Sequence, residues 1–170
     1  MTQSANLVQR FLEDEAASVS FAQKLAQALK DVLGCEKENG IVVYLNGDLG
    51  AGKSFLSRAL IQSYDSRLKV KSPTYTLVES YEVDLGLWPA QVHHFDLYRL
   101  CDPEELEFLA IRDLFQGRYI ALVEWPEKGQ PVLPAADIVI DLQHQESGRN
   151  LNLQAYTAIG REIVKHLRSA

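Results

Sequence analysis

Gly47-Asp48-Leu49-Gly50-Ala51-Gly52-Lys53-Ser54 sits between an apolar run and a helical pattern. The octapeptide has the spacing of a phosphate-binding loop: glycine, four residues, then Gly-Lys-Ser. The run before it is Ile41-Val42-Val43-Tyr44-Leu45. After it, Phe55, Leu56, Ala59 and Leu60 are apolar against polar Ser57, Arg58 and Gln62. Strand, glycine-rich turn and helix are the context this motif needs. Glycines leave backbone N–H groups free to converge on phosphate oxygens. The helix start adds unpaired donors and the positive end of its dipole. Lys53 then reaches the outer phosphates as a point charge, and the Ser54 hydroxyl can ligate Mg²⁺. The competing reading is a glycine turn between strand and helix with no ligand. The flanking patterns weigh against it.

The totals bound the rest. A chain of 170 residues is expected to form one domain, residues 1–170, with a sizeable core. Hydrophobic residues at 46% and charged residues at 24% fit a soluble globular protein. A net charge of −6 argues against a broad nucleic-acid footprint, which would be basic, and leaves local RNA contact or contact through a partner open. Cys35 and Cys101 form no CxxC and suggest no disulfide framework. They read as reduced thiols of a cytoplasmic protein. Residues 1–11 lack the apolar core of a signal peptide, and no run approaches a membrane span.

Periodicity predicts an α/β chain. Glu13-Asp14-Glu15 places negative charge at a helix start. Ala22, Leu25, Ala26, Leu29 and Leu33 share one face, with Gly34 as the stop. After the loop helix, residues 68–71 read as a short strand, Ser72-Pro73-Thr74 as a break, and residues 75–82 as a strand. Residues 84–90 hold Gly86 and Pro89 and read as a hairpin connection. Residues 91–97 form the next strand. Asp102-Pro103-Glu104-Glu105 is a helix start with cap, proline and capping-box glutamate, and Gly117 ends that region. Residues 119–123 are continuously apolar, as a strand buried on both faces requires. Residues 137–142 and 150–156 make a late hairpin turning near Gly148, its second strand expected as a half-exposed edge. Ile159, Ile163, Val164 and Leu167 mark a closing helix. The expected architecture is a three-layer phosphate-loop NTPase fold, mostly parallel at the centre of its sheet with antiparallel additions.

Hydrolysis requires more than a phosphate loop: a metal held in place and a positioned water. Two carboxylates fall at C-terminal strand ends, where this fold class opens its crevice. Glu124 directly follows residues 119–123 and suits a second Mg²⁺ anchor. Otherwise it caps the next segment or pairs with Lys128. Asp96, at the end of Val92-His93-His94-Phe95, either holds the metal through water, orients the attacking water, or bonds the backbone before Tyr98-Arg99. Ser72-Pro73-Thr74 resembles a switch segment whose threonine closes on the γ-phosphate and Mg²⁺, or is a simple turn. His93 and His94 are adjacent on a strand and point to opposite faces, so one is core-facing without a catalytic task. Trp125-Pro126 is core, a stacking surface or a partner contact. No Asn-Lys-x-Asp stretch favours GTP.

With these motifs assembled, the chain resembles the TsaE (YjeE) family over nearly its whole length. The marks are residues 47–54, Lys71-Ser72-Pro73-Thr74-Tyr75-Thr76-Leu77-Val78-Glu79, His94-Phe95-Asp96-Leu97-Tyr98-Arg99-Leu100 and Glu124-Trp125-Pro126-Glu127-Lys128. The second and third are more specific than the loop itself. The resemblance implies a small ATPase that binds ATP and Mg²⁺ and hydrolyses ATP slowly alone. It implies action with the TsaB–TsaD complex in threonylcarbamoyl modification of the adenosine beside the anticodon of tRNAs reading ANN codons, with tRNA met through that complex. In matching positions Lys53 and Ser54 hold phosphates and Mg²⁺, Glu124 is the second metal anchor, Thr74 lies in the switch-like loop and Asp96 is tied to hydrolysis. Glu15 and Arg149 fall where the family contacts nucleotide. Ser54 stands where members often carry threonine, with the same hydroxyl. Two other classes stay open: a nucleotide-dependent binding module whose hydrolysis is incidental, and a small-molecule kinase. Arg112 and Arg118 are isolated and no arginine-rich lid is visible for the latter.

Overall fold

Asp14 opens the first helix by accepting a hydrogen bond from the Ala17 N–H at 2.8 Å, and α1 (Glu15–Leu33) runs to Gly34 in a left-handed turn at φ +65°. The structure, a computed structural model, describes residues 3–170. Met1 and Thr2, the start of the segment expected to lack a signal peptide, lie outside the described residues. The other elements are β1 (Leu7–Leu12), β2 (Asn39–Asn46), α2 (Lys53–Tyr64), β3 (Val78–Asp84), β4 (Pro89–Asp96), α3 (Ile111–Leu114), β5 (Arg118–Glu124), β6 (Ile138–Gln145), β7 (Gly148–Ala155) and α4 (Ala158–Ser169).

The seven strands form one sheet in the order β1-β7-β6-β2-β5-β4-β3. The central run β6, β2, β5 and β4 is parallel. The outer pairs β1–β7, β7–β6 and β3–β4 are antiparallel. This is the expected mixed α/β sheet. Strand β5 shows why its sequence is apolar throughout: Ile120 and Leu122 enter one core, Ala121 and Val123 another, as period two dictates. The first core also takes Leu25 and Leu29 of α1, Leu56 and Leu60 of α2, and Ile163 of α4. The second is closed by Leu106, Ile111 and Leu133, from α3 and short neighbouring segments.

Four local expectations change. Residues 68–71 are not a strand, and the strand expected from residue 75 starts at Val78. Pro73 to Thr76 form a turn closed by the Leu77 N–H on the Pro73 carbonyl at 2.8 Å, so those residues have no ladder partner. The Asp102 capping box forms, with Glu104 N–H on Asp102 at 2.9 Å and Asp102 N–H on Glu105 at 3.1 Å. It starts a 3-10 segment, Pro103–Leu109, rather than an α-helix. Finally β7 is not an edge. β1 pairs along it from Leu7↔Gln154 to Leu12↔Arg149, a strand that residues 7–12 did not announce in the sequence. Among the described residues no helix is long and apolar enough to cross a membrane.

Candidate nucleotide-binding site

Strands β2, β4 and β5 end at one level. The parallel registers put Leu45 beside Glu124 and Glu124 beside Asp96. The loop of residues 47–54 leaves β2 directly above this line and turns into α2. Its glycines are needed for shape. Gly47 has φ +149° and a Cβ there would lie 2.6 Å from the Leu142 carbonyl. Gly52 has φ +107° and a Cβ would meet Arg149 Nε at 2.8 Å. Gly52 also precedes α2 with no side-chain cap, so the first-turn N–H groups face the loop without a side-chain acceptor.

Ser54, in the first turn of α2, donates from Oγ to Glu124 Oε1 at 2.9 Å, with Oε2 at 3.2 Å. Glu124 is 1% exposed. Its Oε2 is also 2.7 Å from His94 Nε2. Neither alternative for Glu124, capping the next segment or pairing with Lys128, is the observed contact. Lys53 is 5% exposed. Its Nζ donates to the Gly47 carbonyl and lies 3.6 Å from the centre of the Trp125 ring. Burial holds Lys53 below the ordinary lysine value, opposed by the carboxylates of Glu124, Glu127, Asp96 and Asp48. Asp96 is nearly buried and accepts the Tyr98 N–H at 3.1 Å, one of the three roles its sequence position allows. Burial pushes its carboxyl above the ordinary aspartate value; the Tyr98 N–H opposes this and Glu124 reinforces it.

A cavity of about 400 Å³ is lined by residues 49–55, Thr74, Asp96, Tyr98, Arg99, Glu124 and Trp125. A second, of about 490 Å³, lies across Lys53 and Trp125, against Tyr44, Asp48, Glu127 and Gln130. Thr74 enters the first cavity from the turn, where its Oγ1 is 2.6 Å from Ser72 Oγ. Arg149 comes from the start of β7 to pack against Gly52, and its buried Nε has no hydrogen-bond partner. Glu15 is exposed in the first turn of α1 and is not among the residues lining either cavity.

These residues fit a nucleotide with a divalent ion. An uncapped helix start, a buried lysine and an orphaned guanidinium nitrogen call for an anion. Among the described residues no group of three His, Cys, Asp or Glu side chains is placed to hold a metal. Mg²⁺ needs no such cage: it takes one or two protein oxygens with phosphate and water, and the paired oxygens of Ser54 and Glu124 are of that kind.

A family model described as threonylcarbamoyl adenosine biosynthesis protein TsaE matches residues 12–151. The chain belongs to the TsaE family. A Haemophilus influenzae protein named tRNA threonylcarbamoyladenosine biosynthesis protein TsaE is 46% identical over 155 residues, covering 91% of this chain and 94% of its own length. The Aquifex aeolicus protein of the same name is 36% identical over 134 residues, covering 78% and 84%. The crystal structure of Bacillus subtilis YdiB is similar with a TM-score of 0.68 over 96% of this chain and 95% of its own, at 20% identity, a likeness of fold.

In this TsaE-family chain the fold brings Lys53, Ser54, Thr74, Asp96 and Glu124 around one cavity, packs Arg149 behind Gly52 of the loop, and leaves both Arg149 and Glu15 off the lining of the two cavities. Three neighbours escaped the sequence reading. His94 shares a strand face with Asp96, two residues on, and so meets Glu124; period two carried that signal. The Trp125 ring covers Lys53 because Trp125 adopts a left-handed φ of +56°, which no local pattern announces. Arg99 lines the first cavity. His93 bonds Ser80 Oγ at 2.7 Å instead, and burial lowers its pKa.

Proposed function

We propose that this TsaE-family chain is a cytoplasmic Mg²⁺-dependent ATPase that supports threonylcarbamoyladenosine formation in tRNA together with the TsaB–TsaD complex. The observation that carries the ATPase reading is the Ser54 hydroxyl 2.9 Å from the buried Glu124 carboxylate at the start of α2. A hydroxyl and an acid so placed, beside a phosphate loop, form a metal-binding pair. Family membership and the relatives' names support the tRNA role, and the resemblance of residues 71–79 and 94–100 supports the partner.

The residues divide the work. Backbone N–H groups of Gly50, Gly52, Lys53 and Ser54 and the Lys53 ammonium hold the β- and γ-phosphates, Lys53 leaving the Gly47 carbonyl to do so. Arg149 supplies a further donor at the loop. Ser54 and Glu124 would hold Mg²⁺, which when bound would supply neutralisation of phosphate charge. Asp96 accepts a hydrogen bond from the attacking water, aligning it with the γ-phosphate. Its benefit is felt mainly in the transition state. Thr74 closes from the turn onto the γ-phosphate.

Phosphate release from Mg–ATP, measured with and without the TsaB–TsaD complex, tests this. Slow release alone and a steep rise with the complex are expected. No release in either condition reduces the chain to a nucleotide-dependent binding module. A phosphorylated small molecule in place of free phosphate makes it a kinase.

A further inference from the structure

We infer that Arg99 is a further phosphate-directed cation of this site, beyond Lys53 and Arg149, held against Tyr75 in the structure and placed to engage the terminal phosphate of ATP. The inference rests on the proposed ATPase function. Lys53 and Arg99 are the basic residues among those lining the cavity that holds Ser54, Thr74, Asp96 and Glu124. Two carboxylates and a triphosphate leave that cavity strongly negative even with Lys53 and a divalent ion counted. Lys53 approaches through the loop, and Arg99 comes from the Asp96 side.

The backbone of Arg99 is fixed, and its guanidinium rests on a ring rather than on a carboxylate. Tyr98 N–H bonds Asp96 Oδ1 at 3.1 Å, and Leu100 N–H bonds the Leu97 carbonyl at 3.0 Å, so residues 96–100 form a tight turn off the end of β4. The guanidinium lies 4.8 Å from the centre of the Tyr75 ring. Arg99 is exposed, and among the described residues it has no ion pair with a carboxylate. An exposed cation–π contact is weak, whereas a guanidinium bonds phosphate oxygens in pairs. Tyr75 follows Thr74 in the same turn, so movement of Thr74 toward the γ-phosphate would carry Tyr75 and release Arg99 together.

The test compares wild type, Arg99→Ala, Arg99→Lys and Tyr75→Ala for ATP affinity, ADP affinity and phosphate release at saturating Mg–ATP. Arg99→Ala should weaken ATP binding about tenfold, as loss of a charge-assisted hydrogen bond does, with ADP affinity unchanged. Its turnover should fall by about 100-fold or more, as for other arginines that meet the transferring phosphoryl group. Arg99→Lys should recover part of both, and Tyr75→Ala should tighten ATP binding about twofold to fivefold. If wild type binds and hydrolyses ATP and Arg99→Ala matches it in ATP affinity and turnover, the assignment of Arg99 is overturned and the ATPase reading stands. If wild type neither binds nor hydrolyses ATP, both readings fall.

Discussion

Ser54 and Glu124 are 70 residues apart in sequence, and the Ser54 hydroxyl donates to the Glu124 carboxylate at 2.9 Å. The contact joins the start of α2 to the end of β5, so the pair proposed to hold Mg²⁺ is assembled by the strand register. Glu124→Gln keeps the shape and removes the charge. It should reduce Mg²⁺-dependent phosphate release about 10-fold or more while metal-free nucleotide affinity changes little, because Mg²⁺ prefers charged oxygen ligands. A Mg²⁺ titration of release rates checks this. Normal rate and normal Mg²⁺ dependence would remove Glu124 from the metal site.

His94 holds the other side of Glu124, with Nε2 2.7 Å from Oε2. Both side chains are 2% exposed. His94→Ala leaves a buried carboxylate oxygen without that partner, a loss of about 1–3 kcal/mol, read as a lower midpoint in denaturant. Loss of such a support also weakens a metal site by about 10- to 100-fold, so the variant should need more Mg²⁺. A variant with wild-type midpoint and Mg²⁺ requirement would leave His94 no positioning role.

The role proposed for Asp96 separates hydrolysis from binding. Asp96→Asn retains the acceptor for Tyr98 N–H and loses the charge, so turnover should drop with ATP affinity nearly intact. Its pH signature has a definite sign. Burial raises the folded-state pKa of Asp96 above the unfolded value, so the folded chain holds the proton more tightly. The ionised carboxylate therefore costs stability, and that cost grows as pH rises through the window between the two values. Asp96→Asn should melt higher than wild type at pH 7, and the gap should close toward pH ~4. A gap that widens on acidification contradicts the burial argument.

Much of this was legible in residues 41–62, where an apolar run, a glycine loop and a 3.6-residue pattern stand in one order. The continuous apolar run of residues 119–123 placed Glu124 at a strand end. What was hidden depends on contacts distant in sequence. β1 is short and mixed, Leu-Val-Gln-Arg-Phe-Leu, and becomes a strand through pairing with β7. Residues 68–71 have strand-like composition but no neighbour to pair with. His94 looked like one of two equivalent histidines until β5 gave it Glu124. Arg149 was suggested by resemblance, and its position against Gly52 follows from the β6–β7 hairpin reaching the loop.

The switch proposed at Thr74 would tie nucleotide to partner docking. Its turn is bonded internally through Ser72 Oγ at 2.6 Å, and ATP shifts such a turn by its differential affinity for the two arrangements. An ATP analogue should raise affinity for the TsaB–TsaD complex above that seen with ADP, and Thr74→Ala should erase most of the difference. Partner affinities measured with analogue, ADP and no nucleotide decide it; three equal dissociation constants would reject the switch.

The most direct test of the proposed ATP site is calorimetric titration of Mg–ATP into the wild-type chain and into Lys53→Ala. The wild type should bind at one site. The variant should bind about 10- to 100-fold more weakly, the loss of one charge-assisted hydrogen bond of about 1.5–3 kcal/mol, with its fold intact by circular dichroism. Equal affinity in two folded proteins, or no binding by the wild type, would contradict a phosphate site at residues 47–54.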